Sequence, residues 1–207
     1  MSLVIDAVVI AGGVVVGRWV ARRMRARSAA KAGGEPPDAQ ATPPRDAFAG
    51  FRCRLGDVVV RVAERDEAWL AGALVLEEEQ PVAVLFVAPE AGGDRAVFVR
   101  RGEGSGLTWL SPLPGGEVTP GAEPPHAIEH RGARFERARR LPVRVVRVGS
   151  GAPAVGERAV VAEYTGPAVE RLVVLAGTER QLAWRGVALA EGEYDVLPGG
   201  QGTLDEG

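Results

Sequence analysis

From Phe48 onward the chain is a succession of short apolar runs, rich in Val and Leu, that turn residues interrupt every eight to twelve positions. No apolar pattern with a helical period runs long enough to build a helix there, which leaves an antiparallel all-β fold. The expected strands are Asp57–Ala63, Ala68–Glu77, Val82–Ala88, Ala96–Arg101 and Leu107–Leu110. A second set follows at Phe135–Arg139, Val143–Val148, Ala159–Tyr164, Arg171–Ala176 and Gln181–Ala190. Between them lie turn sequences such as Glu90-Ala-Gly-Gly-Asp94, Gly149-Ser-Gly-Ala-Pro153 and Thr165-Gly-Pro167.

A Pro/Gly-rich break from Ser111 to Pro125 separates the two sets. The expected organisation is two similar-sized β subdomains, each sandwich-like or barrel-like, at 48–112 and 127–200. A connection at 113–126 joins them and a flexible tail follows at 201–207. Leu55-Gly-Asp-Val-Val-Val60 and Val155-Gly-Glu-Arg-Ala-Val160 both set a glycine and an acid before an apolar strand, which fits duplication of one half and equally fits coincidence, since this turn chemistry is common.

The N-terminus is of another kind. Eighteen residues from Leu3 to Val20 contain only Asp6 and Arg18 as charges and would rise about 27 Å as a helix, close to the roughly 30 Å hydrocarbon core. Trp19 suits an interface, and Arg22, Arg23, Arg25 and Arg27 follow the apolar run rather than precede it, as in an anchor and unlike a cleaved leader. Residues 1–27 are therefore expected to form a single-pass anchor in the bacterial inner membrane, with the later chain cytoplasmic. The alternative is a helix that lies in the interface or packs on the protein itself. Gly13 and Gly17 match the small-xxx-small spacing that lets membrane helices pair, a route to a homo-oligomer. Residues 28–47, small, polar and proline-bearing, read as a disordered linker.

Of 25 basic and 27 acidic residues, six and one respectively fall within residues 1–31, so the remainder carries 19 against 26, a net charge near −7. Such a balance gives no footprint for a nucleic-acid backbone, whereas the N-terminal cations suit inner-membrane lipid. The single cysteine, Cys53, fits a reducing compartment.

One stretch has the form of a catalytic motif. His126-Ala-Ile-Glu129-His130 matches H-x-x-E-H, in which a helix presents two zinc-binding histidines and a water-activating glutamate. Gly132 and strand-like sequence follow at once, and in an extended chain the two histidines would stand about 13 Å apart. The expectation is two solvated histidines, with no metal or other cofactor, and zinc hydrolysis as a remote alternative. Arg131, Arg134, Arg137, Arg139, Arg140, Arg144 and Arg147 are expected to form a solvated basic face. Gly102-Glu-Gly-Ser-Gly106 lacks the lysine of a phosphate loop. Cys53, between Arg52 and Arg54, is either a thiol of lowered pKa or buried filler. Trp69, Trp109 and Trp184 are expected in the core.

Arg54-Leu-Gly56-Asp57-Val58, Leu107-Thr-Trp109-Leu110 and, in the second half, Gly156-Glu-Arg-Ala-Val-Val-Ala-Glu163-Tyr164, Gly166-Pro167, Glu179, Trp184 and Gly192-Glu-Tyr194 succeed one another over roughly Phe51 to Gly200. In these pieces the chain resembles a bacterial family catalogued as domain of unknown function 4178: the first is similar to that family's first strand, the second to a tryptophan-leucine strand, and the rest follow the family's order in the second half. Leu70-Ala-Gly-Ala-Leu74 departs from it where a tryptophan-glutamate-tyrosine cluster is expected. The resemblance implies a layout with a membrane helix, no known activity and no catalytic residues. Gene neighbours of such a family imply a role in envelope maintenance under membrane stress.

The functional expectation is a membrane-tethered, non-enzymatic interaction or scaffold module that holds a membrane-associated protein partner at the inner leaflet. The alternative is a sensing or carrier domain for a small ligand such as a polyamine.

Overall fold

The computed structural model describes residues 47–90, 94–102, 106–115, 117–118 and 123–199. The anchor segment with Leu3, Gly13, Gly17, Trp19, Val20, Arg22, Arg23 and Arg25, nearly all of the linker, and the tail lie outside these residues. Among the described residues every regular element is a β-strand, and no helix is long and apolar enough to cross a membrane.

There are twelve such strands: β1 (Val58–Arg61), β2 (Asp66–Trp69), β3 (Gly72–Glu77), β4 (Pro81–Ala88), β5 (Arg95–Arg100), β6 (Leu107–Pro112), β7 (Ala127–His130), β8 (Ala133–Gly149), β9 (Arg158–Thr165), β10 (Glu170–Gly177), β11 (Gln181–Leu189) and β12 (Tyr194–Leu197). A large sheet runs β3-β4-β5-β6-β11-β10-β9-β8-β7, and β3 also pairs with β8. That extra pairing closes β3, β4, β5, β6, β11, β10, β9 and β8 into an eight-stranded antiparallel barrel. The all-β, antiparallel expectation holds. The two halves do not form separate subdomains, however: each supplies a four-stranded meander, and the meanders join at the β3–β8 and β6–β11 seams into one barrel. Neither four-stranded sheet has a partner for both of its edges, and closing on the other removes all four edges at once.

Alternation sorts the side chains of these strands into three cores. One draws on all eight barrel strands, with Leu74, Leu76, Leu85, Phe98, Leu110, Val143, Val161, Val173, Leu175 and Trp184, and is the barrel interior. A second lies on the outer face of β3–β6, where Val75, Val84, Phe86, Val97 and Trp109 are covered by a separate β12-β1-β2 sheet through Val59, Ala68 and Tyr194. A third lies on the outer face of β9–β11, where Ala162, Tyr164, Leu172 and Val174 are covered by Ile128 and Phe135 of the β7–β8 hairpin. Eight strands enclose a space that side chains fill, and the large inward residues are essentially buried.

The strand bounds differ from expectation in three places, each with a cause. The expected strand Ala68–Glu77 is two strands, because the chain crosses from the small sheet to the barrel at Leu70–Ala71: Leu70 donates to the Asp57 carbonyl, and Ala71 to that of Val87. The crossing needs Gly72, where a Cβ would come 2.2 Å from the Ser150 carbonyl oxygen. The expected pair Phe135–Arg139 and Val143–Val148 is one seventeen-residue strand running through Pro142. Val145 donates its N–H to the Glu157 carbonyl on the β9 side, so alternation turns the nitrogen of Pro142 to the other edge, where no ladder bond is lost. The strands β7 and β12 are short and were not expected. Finally, the two glycine-acid motifs are not equivalent positions: one leads into β1 of the covering sheet, the other into β9, second strand of a barrel meander.

Candidate functional site

The two ends of the barrel differ. At one end the β8–β9 loop folds inward and adds Ala152 and Val155 to the interior core, while Arg147 donates two hydrogen bonds to the Ala152 carbonyl, at 2.8 and 3.2 Å. At the other end three of the inward rows finish in charge. On β9 the row Ala159, Val161 ends in Glu163; on β5 the row Ala96, Phe98 ends in Arg100; on β10 the row Leu175, Val173 ends in Arg171. Arg139 of β8 sits directly beside Glu163 in register.

β5 and β9 are four strands apart whichever way the ring is followed, so they face each other across the barrel. Arg100 Nε stands 3.8 Å from Glu163 Oε2, an ion pair that spans the mouth. Burial pushes the Glu163 carboxyl above its ordinary pKa, opposed by Arg100, Arg139 and Arg171 in that order. Among the described residues, one carboxylate thus faces three guanidiniums at this end of the barrel.

Within the stretch His126–His130, Ala127–His130 forms strand β7 rather than a helix, as the extended reading has it, but the two histidines are not both solvated. His130 is 5% exposed. Its Nδ1 lies 3.2 Å from Arg185 Nη1, an obligate donor, so Nδ1 accepts and Nε2 carries the hydrogen donated to Glu117 Oε2 at 2.9 Å. Both ring nitrogens are thus occupied. That hydrogen bond, with Arg131 adding to it, holds the Glu117 carboxyl below its ordinary pKa. Arg185 also grips both Glu170 oxygens, at 2.9 and 3.0 Å, and lies over the Phe135 ring at 5.2 Å. His126 is exposed against Arg137, and Glu129 is exposed on β7, opposite Arg134 in the ladder. Among the described residues no group of three or more His, Cys, Asp or Glu side chains is arranged to hold a metal ion.

The arginines expected as one solvated basic face are instead dispersed, because β8 alternates and carries a bulge between Arg137 and Arg139. Arg140 grips Glu123 through two 2.6 Å hydrogen bonds, Arg144 meets Glu77 at 2.8 Å, and Arg137 holds the Pro124 carbonyl. The reading of Cys53 as a thiol of lowered pKa is corrected: it is wholly buried, and burial, then Asp57, pushes it up to about 12.

Most of the family-like residues have structural work. Gly56 turns the chain at φ 91°, and Asp57 accepts from the Arg54 and Gly199 N–H groups at 2.7 and 3.0 Å, tying together the two ends of the covering sheet. Trp109 is buried beneath that sheet with the Arg61 guanidinium 5.8 Å from its ring, and Trp184 fills the barrel interior; Trp69 is half-buried on β2. Tyr164 donates to the Pro125 carbonyl at 2.9 Å, and Tyr194 packs between the covering sheet and the barrel. Glu163 has no such packing role. The mouth was not assembled from sequence because its members lie on four strands. The available signal was a charged residue ending an apolar inward row, Ala159-x-Val161-x-Glu163.

No protein-family model matches the chain, nor does any curated protein or solved structure.

Proposed function

We propose that the protein is a non-enzymatic recognition module, tethered to the inner leaflet by residues 1–27 and presenting the barrel to a membrane-associated partner. The observation that carries this reading is the filled barrel interior: side chains from all eight strands occupy the space that a carrier would keep for its ligand. Ionisable pairs such as Arg185 with Glu170 and Arg144 with Glu77 fasten one element to another. The anchor, the basic flank and the linker expected from the sequence would supply the tether, and the resemblance noted above implies a task in envelope maintenance.

The test is crosslinking and affinity capture of the full-length protein from native membranes, beside a variant lacking residues 1–31. This reading expects the full chain in the membrane fraction, the shortened one in the soluble fraction, and a shared protein partner captured by both. Retention of the shortened protein at the membrane, or capture of nothing by either, contradicts it.

A further inference from the structure

We propose that the outer face of the β12-β1-β2 covering sheet is a docking surface for a cationic, apolar segment of a protein partner. Side chains alternate across this sheet, and Val59, Ala68 and Tyr194 take the inner face, so Val58, Val60, Trp69, Asp195 and Leu197 take the outer one. In register, Leu197, Val58 and Trp69 form one cross-strand row, and Val60 lies between Asp195 and Glu67 in the next. Val62 continues the outward series of β1. Three large hydrophobic side chains are well exposed among the described residues, and two of them, Val62 at 49% and Leu197 at 50%, belong to this one face. Trp69 is half-buried there and joins none of the three cores. The inner face of the sheet already covers the barrel, so the fold does not require a second apolar face on its solvent side. A half-exposed tryptophan among aliphatic neighbours is the side chain that anchors a docked segment best.

Charge selects the occupant. Asp195 is exposed within the outward series of β12, and Glu193, also exposed, is joined to Val62 by the hydrogen bond from the Val62 N–H to its carbonyl. Glu67 has an interaction of its own, so Asp195 and Glu193 carry the charge offered to a partner. The cations of this region lie elsewhere. Arg61 faces the inner side over Trp109 and pairs with Glu64, Arg52 pairs with Glu191, and Arg54 and Arg65 are exposed before and after β1, outside these rows. An apolar centre with carboxylates along one strand matches a segment in which Lys or Arg alternates with apolar side chains. A second copy related by a two-fold axis brings the same carboxylates into one interface, and an anionic leaflet is repelled by them. The partner's chemistry rests on the recognition reading above, whereas docking itself does not need the tether.

The test titrates the full-length protein, in zwitterionic micelles, with a short peptide of alternating Val and Lys and, in a second arm, with its Val and Glu counterpart, following the backbone amide NMR signals. The expected result is saturable shifts confined to β1, β2 and β12 with the Lys peptide, bound about tenfold more tightly than the Glu peptide. Leu197→Ser and Asp195→Lys each weaken that binding about tenfold. Both positions are exposed, and unchanged amide signals in the barrel show that a loss of binding is not unfolding. No binding of the Lys peptide, equal binding of the two peptides, or indifference to either variant overturns the proposal. So does self-association of the free protein that Leu197→Ser abolishes, which makes the face a contact between copies, or binding to phosphatidylglycerol vesicles that the same variant abolishes, which makes it a lipid surface. The peptide result stands even where the membrane-fraction experiment fails.

Discussion

Two carboxylates of this protein carry opposite pH signatures, set by what surrounds each. Glu163 has its folded-state pKa raised by burial, so the fold favours its protonated form; that contribution is full below the ordinary carboxyl range and is lost as pH rises through the raised value. Glu117 is held low by its hydrogen bond from His130, so its contribution is present above the ordinary carboxyl range and is lost as pH falls through the lowered value. Glu163→Gln is therefore expected to raise Tm at pH 7 and to leave it unchanged near pH 3, while Glu117→Gln lowers Tm at pH 7 with the same acid convergence. Thermal melts of both variants across that range check the signs; parallel curves would contradict them. Cys53, buried and shifted to about 12, is expected to resist iodoacetamide at pH 8 in the folded protein and to react fully in denaturant.

At the scale of elements, the β7–β8 hairpin turns on Arg131 and Gly132, both in the left-handed region at φ 50° and 76°. Gly132 suits that geometry, and Arg131 is strained in it. Arg131→Asn is expected to stabilise by about 1 kcal/mol, since the exposed pair of Arg131 with Glu117 is worth less than the strain relieved. Chemical denaturation measures this, and a destabilised variant would show that the ion pair decides. Trp184→Ala, inside the barrel, is expected to cost about 3–5 kcal/mol. Sequence patterning located nearly every barrel strand, because Val-rich alternation reports local β-structure. It did not locate β7, where four residues with two histidines lack an apolar run, and it broke β8 at Pro142, whose tolerance depends on which edge is paired. The mouth was hidden for a further reason: Arg100 and Glu163 meet only because strands 63 positions apart in sequence close one ring.

Barrel closure governs the behaviour of the whole molecule. Since β3 pairs with β8 and β6 with β11, neither half can keep its inward face from water alone, and the interior core belongs to both. A chain ended at 112 is expected to be insoluble or unfolded rather than a smaller domain. The covering sheet adds to this coupling, as β12 from the far end of the folded chain pairs with β1 near its beginning. Such non-local pairing also predicts slow folding, in milliseconds to seconds rather than microseconds, measurable by stopped-flow fluorescence.

The most direct test of a single barrel built from both halves is native-state hydrogen exchange of the full-length protein under increasing denaturant, resolved by residue. The amides of β4 and β5 and those of β9 and β10 are expected to merge into one opening isotherm, with the β3–β8 and β6–β11 seams protected to the same free energy. Two separate isotherms, one for residues 48–112 and one for 127–197, with unprotected seams, would contradict it.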